Sequence, residues 1–205
     1  MSDPTPTNAM PADLLPAVVL AGGLSRRMGG GDKPLLPFGS GTVLSAVLAR
    51  LAPQAGPLAI NANGNPARFA AYGLPVLPDP VEGHPGPLAG LLAAMVWARS
   101  LGAASVLTVP GDAPFLPLDL AARLARAGAP AFAVSGGRAH PVAGLWPTAL
   151  AEPLRRDLAE GLRKVQAFAT AHGARPVEFP PPPAGPDPFL NLNTPQDLAD
   201  ARHML

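Results

Sequence analysis

The sequence predicts one α/β domain in which a mainly parallel sheet lies between layers of helices. Three observations support this fold class. The 205 residues match the length of a single domain. Hydrophobic residues make up 48% of the chain, which is enough for a sizeable core. Short apolar runs alternate with segments of helical period, and such βαβ units form parallel sheets through right-handed crossovers.

In the amino-terminal half, the first strand is predicted at residues 16–21, where a β-branched run ends at a pair of glycines. Residues 42–51 then carry apolar side chains at the spacing of a helix. The remaining elements predicted for this half are strands at 57–61 and 75–77 and helices at 66–72 and 87–101.

In the carboxyl-terminal half, an apolar strand over 104–109 is stopped by Pro110 and Gly111. A helix over 117–127 begins with proline and is followed by Gly128. The last helix starts at Thr194, which has the sequence of a capping box. The remaining elements predicted here are strands at 131–135 and 142–146 and helices at 149–158 and 161–172.

Composition excludes several functional classes. The formal net charge of +1 gives no general basic field for nucleic acid or a membrane surface. The absence of cysteine excludes disulfides, thiolate metal sites and cysteine nucleophiles. Residues 1–15 hold several prolines and neither Lys nor Arg, unlike a secretory signal. We therefore expect a soluble cytoplasmic protein with a disordered tail over 1–15 and one domain over 16–205.

The segments that directly follow the predicted strands should contain the ligand site, because ligands bind at the carboxyl ends of parallel strands. The longest of them is the glycine-rich run from Leu20 to Lys33. Its backbone N–H groups can form an anion nest, and Arg26, Arg27 and Lys33 add positive charge. This pattern predicts a cradle for a polyphosphate, although it matches neither the Walker A motif nor the dinucleotide fingerprint.

Four further residues are candidates on weaker evidence. Asp112 follows the strand at 104–109 and is either a Mg²⁺ ligand or a turn residue. Asp79 either accepts hydrogen bonds from a base or ribose or ends a turn. His140 lies between two predicted strands and either lines an acceptor site or is an ordinary turn histidine. Lys164 either meets an anionic acceptor or belongs to a solvated helix face.

The chain contains, in this order, the motifs Leu20-Ala-Gly-Gly-x-Ser-x-Arg-Met-Gly-x-x-Asp-Lys, Asn61-Ala-Asn, Asp79, Pro85-Gly-Pro-Leu-Ala-Gly, Pro110-Gly-Asp-Ala-Pro-Phe, His140-Pro-Val and Asn191-Leu-Asn-Thr-Pro. Taken together, these motifs resemble those of the molybdenum cofactor guanylyltransferases, over about residues 16–203. The resemblance implies a three-layer α/β/α, Rossmann-like nucleotidyltransferase domain of the GT-A-like fold with a mixed, mainly parallel sheet.

The resemblance also implies an activity. GMP would be transferred from GTP to the terminal phosphate of Mo-molybdopterin, giving the guanine dinucleotide cofactor and pyrophosphate, with Mg²⁺ as cofactor. The expected partners beyond these substrates are other proteins of molybdenum cofactor synthesis and molybdoenzyme chaperones.

Site residues are carried over by position in the same way. Arg27, Lys33 and Asp112 are the implied catalytic residues, with Asp112 as the metal ligand and Gly30 in the same loop as Arg27. The implied nucleotide-binding residues are Leu20, Ala21, Gly22, Gly23, Lys33, Asn61, Asp79 and Asp112. The implied acceptor-binding residues are His140, Lys164, Asn191 and Asn193.

Three alternatives remain open at this point. A cytidylyltransferase acting on molybdopterin would have Leu-Ala-Ala-Gly where this chain has Leu-Ala-Gly-Gly, so the Gly22-Gly23 pair favours GTP. A sugar-phosphate nucleotidyltransferase would be longer, and a non-catalytic nucleotide-binding protein would not need both Lys33 and Asp112. One residue departs from the family pattern, since Gly64 follows Asn-Ala-Asn where relatives often have a basic residue.

Overall fold

The structure is a computed structural model that describes residues 15–22, 32–81 and 86–204. Its seven-stranded sheet is mixed and mainly parallel, as the sequence predicts, because only β8 runs antiparallel to its neighbours. A separate hairpin joins β2 (Pro37–Phe38) to β3 (Gly41–Thr42). The strand order of the main sheet is β5 (Val76–Leu77), β4 (Leu58–Asn61), β1 (Ala17–Leu20), β6 (Ser105–Pro110), β8 (Arg138–Pro147), β7 (Ala131–Ser135) and β9 (Arg175–Glu178).

Helices cover both faces of this sheet, which confirms the three-layer arrangement. Within the described ranges, the α-helices are α1 (Val43–Leu51), α2 (Pro87–Ser100), α3 (Leu120–Ala127), α4 (Ala151–Ala159), α5 (Val165–Ala171) and α6 (Pro195–Arg202). Short 3-10 helices lie at Lys33–Leu35, Ala52–Gln54, Pro66–Tyr72 and Thr148–Leu150. No helix in this part of the chain is long and apolar enough to cross a membrane.

Two apolar clusters, one on each face of the sheet, pack the two helix layers against it. Alternate residues of β1 serve both, since Ala17 and Val19 pack with α1 and α3 whereas Val18 packs with α2, α4 and α5. Leu15, which the sequence analysis assigned to the tail, packs against the first cluster, and its carbonyl accepts a hydrogen bond from the Gly56 N–H at 2.8 Å. Residues 1–14 lie outside the described part of the chain.

The observed helix starts agree with the predicted ones where a threonine side chain caps the helix. Thr42 and Thr194 each form a complete capping box, at the start of α1 and α6. The predicted start at residue 117 is wrong, because α3 begins after Asp119. The predicted helix over 161–172 begins later, after Lys164, because Gly161 takes a φ of 97° that ends the preceding turn.

Two strand predictions also need correction. The strand β9 was missed because Arg-Pro-Val-Glu has little apolar character, which an edge position tolerates. The prediction that His140 lies between two strands is wrong, because β8 already begins at Arg138. The register against β7 shifts after His140, where Pro141 has no N–H for the ladder.

A buried hydrogen-bond chain ties β6 to β8 in the centre of the sheet. The indole Nε1 of Trp146 donates to Thr108 Oγ1 at 3.1 Å, and this hydroxyl donates to the Val142 carbonyl at 2.7 Å. Both side chains are completely buried. Polar groups in such a place stabilise the fold only while each has its partner.

We expect Thr108→Val to lower the free energy of unfolding by about 1–3 kcal/mol, because the buried indole N–H then has no acceptor. Trp146→Phe removes that donor, so Thr108→Val should cost clearly less in the Trp146→Phe background. Urea denaturation of the four proteins in this cycle measures the difference. An equal cost in both backgrounds would show that the two side chains do not interact energetically.

Candidate functional site

The carboxyl ends of β1, β4 and β6 lie level with one another and form the edge on which the candidate residues gather. Leu20 is in register with Asn61 on one side and with Pro110 on the other. The ladder continues past the strands, since the Ala21 N–H donates to the Asn61 carbonyl at 2.8 Å and the Gly111 N–H donates to the Leu20 carbonyl at 2.9 Å. Residues that follow the three strands therefore share one edge.

The first group at this edge is a set of hydrogen bonds around Asp79. Asn61 is almost completely buried, and its Nδ2 donates to Asp79 Oδ1 at 2.9 Å and to the Leu77 carbonyl at 3.0 Å. Asn63 Nδ2 donates to Asp79 Oδ2 at 2.7 Å, and its Oδ1 accepts from the Asp79 N–H at 2.8 Å. Both carboxylate oxygens are thus held by amide groups, so Asp79 is fixed in position and keeps lone pairs for a further donor.

A glycine on α2 makes room for this group. A Cβ atom at Gly90 would lie 2.3 Å from Asn61 Oδ1, so no other residue fits there without moving the buried amide. Gly90 ends the motif Pro85-Gly-Pro-Leu-Ala-Gly, in which the sequence alone indicates no role for it. The available signal was a glycine inside a helical pattern, which costs about 1 kcal/mol relative to alanine and therefore suggests a packing reason.

The second group joins Lys33, Asp112 and Asn193. The ammonium Nζ of Lys33 lies 2.9 Å from Asp112 Oδ2 and 2.8 Å from Asn193 Oδ1. The Lys33 and Asp112 side chains are only 16% and 21% exposed, so solvent screens their attraction less than at an open surface. Three residues that the sequence analysis selected separately are therefore in direct contact.

The segment before α6 fixes the position of Asn193. The Leu192 N–H donates to the Asp112 carbonyl at 3.0 Å, which holds this segment against the end of β6. The N–H groups of Asn193 and Thr194 both donate to Asp197 Oδ2 at 2.8 Å. Desolvation tends to raise the pKa of Asp197, but these hydrogen bonds and the nearby Lys33 charge hold that pKa below its usual value.

The neighbouring Asn191 is half-buried at the same edge. Its Oδ1 is buried and has no hydrogen-bond partner among the residues that the structure describes. An unsatisfied buried oxygen beside a candidate site is a place where a ligand or water can donate.

His140 lies in β8, opposite Ala133 of β7, and contacts Phe189 in the segment that leads to Asn191. Its ring stacks on Phe189 with the centroids 4.9 Å apart, and its buried Nε2 has no hydrogen-bond partner within the described ranges. Partial burial lowers the pKa of His140 from its ordinary value; the Asp187 carboxylate opposes this shift and Arg138 adds to it. His140 is therefore mainly neutral at pH 7.

Lys164 is not brought into these groups. Lys164 is exposed at the start of α5, and no described contact joins it to Lys33 or Asp112. Gly23, Arg27 and Gly30 lie outside the described residues. The glycine-rich loop is therefore represented here only by its two ends, Leu20–Gly22 and Asp32–Lys33.

The donor set at Asp112 fits a cation that takes most of its ligands from a bound substrate. Within residues 15–22, 32–81 and 86–204, no three His, Cys, Asp or Glu residues lie close enough together to hold a metal ion. Mg²⁺ commonly binds through one or two carboxylates together with substrate phosphates and water. A single carboxylate beside an ammonium group is consistent with that mode.

Comparison with known proteins finds similar sequences over most of the chain. The family model for the MobA-like NTP transferase domain matches residues 17–175. A molybdenum cofactor guanylyltransferase from Mesorhizobium japonicum is 53% identical over 92% of this chain and 94% of its own length. One from Rhodopseudomonas palustris is 52% identical over 92% of this chain and 93% of its own length.

The fold is also similar to that of a solved structure. The molybdopterin-guanine dinucleotide biosynthesis protein A from Archaeoglobus fulgidus superposes with a TM-score of 0.68. The comparison covers 92% of this chain and 97% of that protein, at 20% sequence identity.

We expect His140 to titrate below its ordinary pKa of 6.5, because burial penalises the charged ring. Since the folded-state pKa is lower than the unfolded one, this histidine lowers stability as the pH falls below 6.5 and through the folded-state pKa. Asp187→Asn should lower the pKa of His140 further, and Arg138→Gln should raise it. Ring proton shifts followed by NMR report this pKa, and a value at or above 6.5 would contradict the environment described.

Proposed function

The chain belongs to the molybdenum cofactor guanylyltransferases of the MobA-like NTP transferase family, and on that premise we propose how it acts: it transfers GMP from GTP to the terminal phosphate of Mo-molybdopterin. The products are the guanine dinucleotide form of the cofactor and pyrophosphate. The reaction would take place in the cytoplasm, and the product would pass to molybdoenzyme chaperones or other proteins of molybdenum cofactor synthesis.

The observation that carries the proposal is the contact of Lys33 with both Asp112 and Asn193, at the sheet edge that also holds Asn61 and Asp79. A nucleotide lying across this edge would have its base and ribose near Asp79 and its phosphates near Lys33. The backbone at Leu20, Ala21, Gly22 and Gly23 would line the space between them, where glycines allow close approach.

Asp79 favours guanine over cytosine on chemical grounds. An ionised carboxylate only accepts hydrogen bonds. Guanine offers two adjacent donors, N1–H and the N2 amino group, whereas the corresponding edge of cytosine presents acceptors beside a single amino group. The amide groups of Asn61 and Asn63 hold the carboxylate in one orientation, which strengthens this selectivity.

The transfer step needs charge neutralisation and alignment more than a base. An oxygen of the acceptor phosphate, already anionic at pH 7, forms a bond to the α-phosphorus of GTP. The bond from that phosphorus to the bridging oxygen breaks, and pyrophosphate leaves with the electron pair. Lys33 and Arg27 would neutralise the phosphates as charge shifts toward the leaving group.

Asp112 would hold Mg²⁺ through its carboxylate. When bound, Mg²⁺ would neutralise the triphosphate and stabilise the leaving pyrophosphate. Lys33 would then bind phosphate oxygens in place of part of its present contact with Asp112. Asn193 would hold the ammonium group in position during that exchange, because its Oδ1 accepts from Lys33 independently of Asp112.

The acceptor would lie on the side of the edge where Asn191, Asn193 and His140 are found. Asn191 Oδ1 and His140 Nε2 have no hydrogen-bond partner in the part of the chain that the structure describes, and they offer hydrogen-bonding atoms to a polar ligand. Lys164 would join this site through its positive charge, which suits the phosphate of molybdopterin.

Nucleotide selectivity tests the proposal without the acceptor. A ligand at about 100 times its Kd adds about 2.7 kcal/mol of stability. For a chain of this size we expect GTP to raise the Tm by about 5–11 °C, with a further change on adding Mg²⁺. CTP, UTP and ATP should shift it far less, and Asp79→Asn should reduce the preference for GTP. A shift selective for CTP would indicate cytidylyl transfer instead.

Turnover tests whether the chain is an enzyme rather than a nucleotide-binding protein. We expect Asp112→Asn to lower kcat by roughly 100-fold, because the charge that holds Mg²⁺ at the phosphates is lost. GTP binding should survive in part through Asn61 and Asp79. Pyrophosphate release with GTP and Mo-molybdopterin measures the rate.

The matched control is Asp119→Asn. Asp119 is an exposed aspartate at the start of α3 that also pairs with a basic residue, Arg123, but lies outside the site. Its substitution should leave kcat within about twofold of the wild-type value. Wild-type turnover in Asp112→Asn would contradict the proposed role of Asp112.

A further inference from the structure

Arg68 connects the two groups of the site, although neither the sequence motifs nor the proposed mechanism uses it. It lies in the 3-10 helix Pro66–Tyr72, which follows the Asn61–Asn63 segment. Its Nε lies 2.7 Å from Asp32 Oδ2, and its Nη2 donates to the Asn63 carbonyl at 2.7 Å. Asp32 directly precedes Lys33, and Asn63 holds the Asp79 carboxylate.

The surroundings of the guanidinium group hold it in this place. Its Cζ lies 4.8 Å from the centroid of the Phe69 ring, and a second, longer hydrogen bond of 3.4 Å runs from Nη1 to the Asn65 carbonyl. The Arg68 and Asp32 side chains are only 27% and 28% exposed. An arginine fixed by a carboxylate, two carbonyls and a ring loses little freedom on pairing, unlike a solitary surface ion pair.

Gly64 provides the space for this arrangement. A Cβ atom there would lie 3.0 Å from Arg68 Nη1, and the residue has a φ of 82°, which favours glycine. The glycine after Asn-Ala-Asn therefore lets the guanidinium of Arg68 approach the backbone of the loop. In this chain, the positive charge beside Gly64 is that of Arg68, four residues further along.

We propose that Arg68 is a positioning residue for Lys33: by tying Asp32 to the loop that holds Asp79, it sets the distance between the phosphate-binding ammonium and the guanosine-binding carboxylate. This inference rests on the proposed function, because it takes Lys33 to bind phosphates and Asp79 to bind guanosine. Arg68 would act on the phosphate end of the nucleotide through Asp32 and Lys33, without touching the ligand itself.

Binding of GTP and of guanosine by the full chain separates this role from a general effect on stability. Arg68→Gln should weaken GTP binding by about tenfold, because the partly buried charge that pairs with Asp32 is lost. Guanosine binding should change by less than twofold, because Asp79 keeps its hydrogen bonds to Asn61. Arg68→Lys, which keeps the charge but lacks the planar fork, should lie between Arg68→Gln and the wild type. Isothermal titration calorimetry measures both constants.

Arg123 provides a closely matched control. It too pairs with an aspartate, Asp119, lies over an aromatic ring, that of Phe179 at 4.2 Å, and donates to a backbone carbonyl, that of Glu178. It lies on α3 and takes no part in the site. Arg123→Gln should leave both binding constants unchanged, even if it lowers the Tm as much as Arg68→Gln does.

The route through Asp32 has its own test. If Arg68 acts by tethering Asp32, Arg68→Gln should have less than a twofold effect on GTP binding once Asp32→Asn has removed the ion pair. An undiminished tenfold effect in that background would overturn the proposal and indicate direct contact between Arg68 and phosphate. Equal losses of GTP and guanosine binding would overturn it as well, because the effect would then lie in the loop that holds Asp79.

A wild-type protein that binds GTP no more tightly than guanosine would instead contradict the proposed function.

Discussion

The ion pair of Lys33 with Asp112 joins parts of the chain that are 79 residues apart, and it depends on the ends of β1 and β6 lying level. Lys33 reaches the edge from the segment after β1, whereas Asp112 follows β6 directly. A shift of one residue in the pairing of β1 with β6 would turn alternate side chains to the opposite face and separate the two charges. The alternation of Ala17, Val18 and Val19 between the two apolar clusters prevents such a shift, because each cluster accepts only one register.

Hydrogen-bond partners explain why a buried polar side chain is tolerated at this edge of the sheet. Asn61 is almost completely buried, and its amide would be costly there without hydrogen-bond partners, whereas Asp79 is only half-buried. The Asp79 carboxylate and the Leu77 carbonyl accept from Asn61, and Asn63 donates to the second carboxylate oxygen of Asp79. Gly90 allows the helix to approach without displacing the amide. The packing of α2 and the position of Asp79 are therefore coupled, and a change in the helix reaches the site through a single side chain.

Local patterns in the sequence were sufficient to predict much of the fold. The capping boxes at Thr42 and Thr194 and the β-branched run of β1 are short-range signals, and the structure agrees with them. The strand β9 and the start of β8 were missed because their own residues have little apolar character. These segments are strands because they pair with β7. At the site, Lys33, Asp112 and Asn193 were selected on separate grounds, and the fold brings them into contact. The contacts of Gly90 with Asn61 and of Arg68 with Asp32 could not be predicted, since they join residues that are distant in sequence.

The attachment of Asn193 to α6 has a consequence for how the site is assembled. Asp197 holds the N–H groups of Asn193 and Thr194, so Asn193 takes its place only when the last helix forms. Lys33 and Asp112, by contrast, are brought together by the pairing of β1 with β6, so their contact does not depend on that helix. Fraying of α6 would therefore release Asn193 from Lys33 and leave the ion pair with Asp112 in place.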